Sequence, residues 1–331
     1  RVSIRNRLLV KEALNVDSYG GIVRLVKAVL LMTLCFETVG AILSFIVFSQ
    51  DYDPVHALGI SVFHSIAAFN NSGFDILGGL RNLIPYQTDV LLNMTTCFLI
   101  IFGGLGFLVI LDILKTRNFH RLTLHSKAVI TTTIGLLAVG TVLLKLTEDV
   151  TWMGAFFHSV SARTAGFSTY TIGDFTNAGL FVLCVLMFIG ASPGSTGGGI
   201  KTSTFFVILQ AVRSMCTKRS IGAFRRSISQ QNVSKACIIA VLSMAVVCIA
   251  TFLMCVLEPE CTFIRLLFEV VSAFGTVGLS TGITTSLSVA GKLVIILVMY
   301  TGRIGAVTLV SMWIEHPEQN ARYTEETISI G

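Results

Sequence analysis

Apolar residues fall into six long runs separated by short polar connections, and the runs come in pairs. A helix needs about 20 apolar residues to cross a bilayer; five of the runs are near that length, and the sixth is longer and interrupted. The chain is therefore predicted to be an all-α integral membrane protein built from pairs of helices. The first run of each pair covers Leu25 to Phe48, Ala128 to Leu146 and Ala236 to Leu257; the second covers Val90 to Leu111, Gly179 to Gln210 and Leu293 to Ile314.

Between the two runs of each pair lies a short segment that repeats three times. The copies are "FHSIAAFNNSGF" from Phe63, "FFHSVSARTAGF" from Phe156 and "FEVVSAFGTVGL" from Phe268. In every copy a phenylalanine precedes a glycine by ten residues, which is too short for a membrane crossing and suits a half-crossing helix that ends in a loop. Close packing of helices through small residues is the alternative, and it does not explain the half-length helices.

Each unit is thus predicted to hold an outer helix, a short helix with its loop and an inner helix. The predicted boundaries are a cytoplasmic linker at 1–24, units at 25–114, 115–217 and 218–316, and a cytoplasmic tail at 317–331.

Composition and charge fit this architecture. Hydrophobic residues make up 53% and charged residues 13% of the chain, far from the roughly 25% charged content of soluble domains. The net charge of +6 comes mostly from short linkers, so the positive-inside rule explains it better than nucleic-acid binding does. The linkers are expected in the cytoplasm and the re-entrant loops outside, although Arg81, Arg265 and Lys292 fall on the outer side. The eight cysteines form no C-x-x-C pair, which argues against a zinc site or a disulfide framework.

The three re-entrant loops share the cores "NSGF", "TAGF" and "TVGL". A backbone that is not helical at membrane depth must be buried in protein or line a water-filled path. Glycine at the third position permits conformations in which successive carbonyls point to one axis, where they can replace the hydration shell of a potassium ion. The candidate ion-selectivity residues are Asn70, Asn71, Ser72, Gly73, Thr164, Ala165, Gly166, Thr276, Val277 and Gly278.

The stretch "GASPGSTGGGIKTST" interrupts the inner helix of the second unit between Gly190 and Gly199. A flexible loop lying across the pore, which must move before an ion passes, is one explanation; a packing kink is the other. A phosphate-binding P-loop is excluded because Ile200 separates Gly199 from Lys201 and no strand precedes the motif. The candidate gate residues are Gly190, Ser192, Gly194, Ser195, Thr196, Gly197, Gly198, Gly199, Lys201 and Arg303.

Four charged residues are predicted to lie at membrane depth. Arg303 is midway along the last span, where a charge is costly, so it is expected beside the interrupting loop, holding it through backbone carbonyls, or else in a structural ion pair. Arg163 and Glu269 are predicted to pair and brace the wall of the filter, whereas Glu37 has no evident partner. Acidic residues in the outer loops either concentrate cations or are simply solvated.

The motifs "AFNNSGF", "RTAGF", "SAFGTVGL", "GGLGF" and "GRIG" together resemble the Ktr/Trk/HKT superfamily of cation transporters, most closely the membrane subunits of bacterial Ktr potassium-uptake systems. The resemblance covers essentially the whole chain. It implies four units around one pore, with the first expected upstream of the three found here, and a gating loop at Gly190 to Gly199. It also implies that the arginine of this last span, Arg303, corresponds to the family's arginine.

The resemblance further implies potassium as the transported ion, bound at the filter residues, with no organic cofactor and no covalent chemistry. It implies a homodimer in the bacterial plasma membrane, in contact with lipid and with a cytoplasmic ring of KtrA-like nucleotide-binding subunits. A sodium-conducting or sodium-coupled relative is the nearest alternative, and the three filter glycines favour potassium over it. A non-conducting assembly subunit is a second alternative, and an enzyme is the weakest because no catalytic or metal constellation is present.

Overall fold

The computed structural model describes residues 22–79, 81–218 and 220–305, and this part of the chain is almost entirely helical. The predicted linker at 1–24 and tail at 317–331 lie almost wholly outside the described residues. The α-helices, in chain order, are α1 Ile22–Phe48, α2 Pro54–Phe69, α3 Val90–Leu105, α4 Phe107–Thr116, α5 Leu124–Thr147, α6 Trp152–Ser161, α7 Asn177–Phe188, α8 Thr202–Thr217, α9 Gln230–Leu257, α10 Phe263–Gly275 and α11 Val289–Ile304. A two-residue hairpin, β1 Gly222–Ala223 with β2 Arg226–Ser227, lies between α8 and α9.

Most of these helices begin at a polar side chain that accepts a hydrogen bond from an N–H group of the first turn. Such caps satisfy donors that have no partner inside the helix and fix where the helix starts. They therefore separate consecutive apolar runs into distinct helices. The capping residues are Asp53, Asp89, Thr123, Thr151, Thr176, Ser229 and Ser288.

Three helices, α1, α5 and α9, are long and apolar enough to cross a membrane. They contain the three outer apolar runs, and α5 and α9 start several residues before those runs because the caps Thr123 and Ser229 lie further upstream. Many large apolar side chains on them are exposed, as expected for a surface that contacts lipid.

The short helices α2, α6 and α10 follow the long ones, with lengths of 16, 10 and 13 residues. Helix α3 packs against α6 and α7 packs against α10, so each inner helix contacts the short helix that comes next in the chain. Fully buried phenylalanines fill these contacts: Phe69, Phe157, Phe167, Phe268 and Phe274.

The prediction of one continuous helix from Val90 to Leu111 is wrong. Helix α3 ends at Leu105, and α4 leaves it at 95°. The intervening Gly106 has φ +88°, and a Cβ on it would lie 2.8 Å from both the Pro193 carbonyl oxygen and the Ser192 hydroxyl. The positive φ of Gly106 ends the helix at this residue. Only glycine fits there, because the Ser192 hydroxyl and the Pro193 backbone occupy the space that a side chain would need.

The last helix ends at a glycine in a similar conformation. Gly305 has φ +94° and ψ +132°, close to the +88° and +143° of Gly106. The predicted run from Leu293 to Ile314 is therefore helical to Ile304, and its remainder lies outside the described residues.

Candidate functional site

The loops that follow the three short helices adopt one unusual backbone pattern. Their glycines, Gly73, Gly166 and Gly278, have φ of +67°, +86° and +94°. The residue two places earlier is also left-handed in each loop, although none of these residues is a glycine. Left-handed residues at alternate positions turn successive carbonyls in directions that a strand or a helix does not allow. The three are Asn71 at φ +52°, Thr164 at +77° and Thr276 at +52°.

The loops contact one another at two of these glycines, where the neighbouring backbone leaves no space for a side chain. A Cβ on Gly73 would lie 2.4 Å from the carbonyl oxygen of Ala165, and one on Gly166 would lie 2.1 Å from that of Val277. Neither distance is possible for a real side chain, so only glycine fits. A Cβ on Gly278 would meet nothing within 4 Å. Each loop thus abuts the next in chain order, and the third has open space at the corresponding position.

Hydroxyl groups and one carboxylate hold the third loop in place. The Ser272 hydroxyl donates to the Leu279 carbonyl at 2.6 Å. Glu269, only 5% exposed, accepts from the hydroxyls of Ser280 and Thr284 at 2.7 Å and from the Thr281 N–H at 2.9 Å. A buried carboxylate with that many donors is well satisfied without a cation.

The predicted pairing of Arg163 with Glu269 is therefore wrong. Arg163 extends the other way and donates from Nη2 to the Gly190 carbonyl at 3.3 Å. Hydroxyl donors replace the arginine around Glu269 because the chain folds Ser280 to Thr284 back over α10, which charge and depth in the sequence do not reveal.

The segment between α7 and α8, residues 189–201, closes on itself as a compact loop, called the intramembrane loop below. Ile189 and Ile200 form a parallel bridge, and Gly190 N–H donates to the Ile200 carbonyl at 2.9 Å. Thr202 N–H donates to the Ala191 carbonyl at 3.2 Å. The two ends of the loop are thereby fixed beside each other.

The intramembrane loop docks into the break between α3 and α4. Ser192 N–H donates to the Gly104 carbonyl at 3.1 Å, and Phe107 N–H donates to the Gly194 carbonyl at 3.2 Å. The Thr196 hydroxyl donates to the Gly103 carbonyl at 3.3 Å. These bonds use backbone groups that the break leaves unpaired, so the break and the loop stabilise each other.

The same loop lies against two of the three loops that follow the short helices, which are the candidate filter loops. A Cβ on Gly197 would lie 2.1 Å from the Thr164 hydroxyl, and one on Gly198 would lie 2.3 Å from that of Thr276. The loop backbone therefore touches the side chains of two of the three left-handed residues, and any side chain at Gly197 or Gly198 would push it away.

Three basic side chains hold three carbonyls of the intramembrane loop. Besides the bond from Arg163 to Gly190, Arg303 Nη1 donates to the Thr196 carbonyl at 2.6 Å and Lys201 Nζ to the Gly197 carbonyl at 2.6 Å. Arg303 therefore lies where it was expected, beside the loop and on a backbone carbonyl. Within the described residues none of the three cations bonds to a carboxylate, so positive charge is concentrated around the loop.

The remaining predicted residues differ in how close they come to this centre. The Asn71 amide donates to the Thr164 hydroxyl at 3.3 Å and links the first two filter loops. Asn70 instead points away and donates to the Glu37 carboxylate at 3.0 Å, which gives Glu37 the partner that the sequence did not reveal. Ser72 and Ser195 donate to carbonyls of their own segments, Ala67 and Ser192.

Sequence reasoning missed the contact of Arg163 with the loop. A signal was present, because an arginine directly before "TAGF" at membrane depth needs an acceptor and the interrupted helix offers unpaired carbonyls. In the described residues no group of three or more His, Cys, Asp or Glu side chains could hold a metal ion.

Comparison with known proteins identifies the family of the chain. The family model of TrkH, described as a cation transport protein, matches residues 2–148 and 132–323. The chain is 36% identical to Ktr system potassium uptake protein B of Bacillus subtilis and 38% identical to the protein of the same name from Vibrio alginolyticus. It is 37% identical to the potassium/sodium uptake protein NtpJ of Enterococcus hirae. Each match covers 100% of this chain and 77%, 75% and 77% of the relative, respectively.

The fold is shared with a solved structure. The crystal structure of the potassium transporter TrkH from Vibrio parahaemolyticus superposes with a TM-score of 0.71 over 93% of this chain and 68% of that chain. Sequence identity in this match is 17%, so it establishes the fold alone.

Proposed function

Because the chain belongs to the TrkH family of cation transport proteins, we propose that it takes up potassium along the axis where the three filter loops meet. The family consists of membrane transporters and not of enzymes, and its members act in the plasma membrane. The observation that carries the proposal is the contact of Gly73 with Ala165 and of Gly166 with Val277, which brings the carbonyls of successive loops together.

Ion selection follows from that arrangement. A dehydrated potassium ion needs oxygen ligands that replace its hydration shell, and backbone carbonyls supply them without a fixed charge. Left-handed residues at alternate positions allow neighbouring carbonyls to face one side. Asn71, Thr164 and Thr276 provide one such position in each loop, and Gly73, Gly166 and Gly278 provide the next.

The intramembrane loop acts as the gate in this proposal. It contacts Thr164 and Thr276, and three cations hold its carbonyls. A cation leaving the filter toward the loop meets both a backbone obstruction and positive charge in surroundings of low dielectric constant. Passage therefore requires the loop to move and the bonds from Arg303 and Lys201 to break.

Sodium transport is the second candidate, favoured by the similarity to a relative named as a potassium/sodium uptake protein. Glycine at all three third positions supports potassium, since the family resemblance associates serine there with sodium permeation. Sodium coupling remains compatible with a potassium-selective filter.

The partner proposal also follows the relatives. Two of them are named as components of a Ktr system, which supports association with further subunits. We place a second copy of the chain in the membrane and a ring of nucleotide-binding subunits on the face formed by the linkers.

The test is ion uptake by cells that lack their own potassium uptake systems, with the complete gene expressed together with a nucleotide-binding Ktr subunit. Gly278→Ser is the informative variant, because its side chain meets no atom within 4 Å but must adopt φ +94° and so distorts the carbonyls. The expected result is growth at low potassium by the parent, and loss of potassium uptake or a shift toward sodium in the variant.

Gly135→Ser is the matched control, since a Cβ on this helical glycine also meets nothing within 4 Å and its φ is not left-handed. It should take up potassium like the parent. An inserted parent that restores no potassium uptake contradicts the transport proposal, and equal behaviour of the two serine variants contradicts the role of Gly278.

A further inference from the structure

A cavity of about 950 Å³ lies beside the intramembrane loop, and none of the candidate filter residues is among those that line it. Its walls come from the loop itself, the first turns of α5, α8 and α9, and the end of α11. One part of the wall is apolar, with Leu124, Phe206, Val207 and Ile239, and the other is polar. The cavity is thus amphipathic and opens at the end of the helices where the linkers lie.

The polar wall carries positive charge and no negative charge. Lys201, Lys235 and Arg303 line the cavity, and no Asp or Glu is among its lining residues. Lys235 has no hydrogen-bond or ion-pair partner within the described residues, and Arg303 and Lys201 each use one donor on the loop. Several donors of each cation therefore remain available to a bound group.

Backbone N–H groups, like the cationic side chains, favour an anionic ligand in this cavity. No side chain caps the start of α8, and the N–H groups of Ser203 and Thr204, which line the cavity, have no acceptor in the described part of the chain. Helix N-termini favour anions through unpaired N–H groups and the helix dipole.

We propose that this cavity binds a phosphate-bearing anion, with the phosphate between Lys201, Lys235, Arg303 and the first turn of α8. The apolar wall accommodates the acyl chains of an anionic phospholipid, and free phosphate shares the same headgroup chemistry. Arg303 and Lys201 donate to the loop carbonyls of Thr196 and Gly197. A bound anion competes with those carbonyls for the two cations, and its charge offsets their repulsion of a passing ion.

Binding is tested on the purified full-length protein, so that the result does not depend on transport. Native mass spectrometry counts bound phosphatidylglycerol, with phosphatidylcholine as the uncharged comparison. Inorganic phosphate against chloride at equal ionic strength is the second probe, with the thermal unfolding midpoint as readout. One phosphatidylglycerol retained per chain assigns the lipid as the source; stabilisation by phosphate at matched ionic strength shows that the headgroup chemistry suffices.

Two variants locate the site. Ser203→Asp adds a negative charge in the first turn of α8, where it favours the helix, and should abolish binding of both probes. Ser203→Asn, similar in size and uncharged, should bind like the parent. Lys235→Gln should weaken binding by about fivefold, the value expected for one cation near a lipid headgroup.

Lys115→Gln is the matched control, an exposed lysine near the end of α4 that does not line the cavity. It should leave binding unchanged. Failure of both probes to bind the parent overturns the proposal, as does parent-like binding by Ser203→Asp or equal weakening by Lys115→Gln and Lys235→Gln.

Discussion

Arg163 is a buried cation without a carboxylate. It is 7% exposed, its Nη2 donates to the neutral Gly190 carbonyl, and its Nε has no partner within the described residues. A charge at the centre of a membrane helix costs about 2.5–3.5 kcal/mol on insertion scales, so such a residue is retained for function and not for stability. Its place directly before Thr164 connects the filter to the start of the intramembrane loop.

Arg163→Gln is expected to leave the thermal unfolding midpoint unchanged or raise it, and to increase potassium uptake. Glutamine keeps a donor for the Gly190 carbonyl and removes the unpaired charge, which lowers the desolvation cost and the repulsion of a passing cation. Arg163→Leu is the comparison, since it also removes the donor and should destabilise the protein by about 1–3 kcal/mol. A lower midpoint in the glutamine variant, equal to that of the leucine variant, would show that the charge itself stabilises the fold.

Glycines in two inner helices explain how close those helices approach the short ones. A Cβ on Gly103 would lie 1.9 Å from the Phe69 carbonyl oxygen, and one on Gly302 would lie 1.9 Å from that of Phe274. The motifs "GGLGF" and "GRIG" therefore each hold one glycine for a backbone contact and another, Gly106 or Gly305, for the end of the helix.

At the scale of elements, the intramembrane loop is held by hydrogen bonds from several separate parts of the chain. Helix α11 contributes Arg303, the α3–α4 break contributes backbone groups, and Lys201 belongs to the loop's own end. An element that must move in a transport cycle belongs to the less stable part of a structure. Arg303 and Arg163 each tie the loop to another segment of the chain through a single side chain, and Arg303 lies on the inner helix α11.

Arg303→Gln is expected to raise potassium uptake through the gate. Glutamine keeps only an uncharged donor, and a hydrogen bond to a charged group is worth about 1–1.5 kcal/mol more than a neutral one, so the closed-to-open ratio shifts by about fivefold to tenfold. Uptake at saturating potassium measures the effect. Lys292→Gln is the control on the same helix, because Lys292 donates to the Thr285 carbonyl at 3.1 Å, away from the loop. Unchanged uptake in Arg303→Gln would remove Arg303 from the gate.

Of the two breaks in the inner helices, the sequence predicted one and not the other. Ten consecutive small and polar residues from Gly190 to Gly199 cannot continue an apolar span, so the interruption was predictable. The break at Gly106 is flanked by leucine and phenylalanine, and the apolar pattern runs through it unchanged. The helix turns at Gly106 where Ser192 and Pro193 pack against it, and this contact is not evident from the sequence.

At the scale of the whole molecule, successive groups of helices pack against one another in chain order. Each inner helix packs on the next short helix, and each filter glycine contacts the next loop, until Gly278 faces open space.

The positive-inside rule predicts the orientation of the chain in the membrane. A short epitope inserted between Pro259 and Glu260 is expected to bind antibody on intact cells, since the acidic loops are predicted outside. The same epitope between Phe224 and Arg225, at the tip of the β1–β2 hairpin, should bind only after permeabilisation. Exposed loop tips tolerate such insertions. Staining of the hairpin tag on intact cells would reverse the orientation.

Local features of the sequence were sufficient to predict that the chain lies in a membrane, where its long helices are, and that three Phe-to-Gly segments repeat. Length, apolar composition and glycine spacing are local properties, and the bilayer excludes most alternatives for such a chain. The contacts between distant groups are seen only in the folded structure. Arg163 bonds to Gly190 and not to Glu269, and Asn70 bonds to Glu37. The intramembrane loop packs against the break at Gly106. These contacts join residues about 30 to 90 positions apart, and the side chain that satisfies a buried polar group depends on packing between units, which no local pattern records.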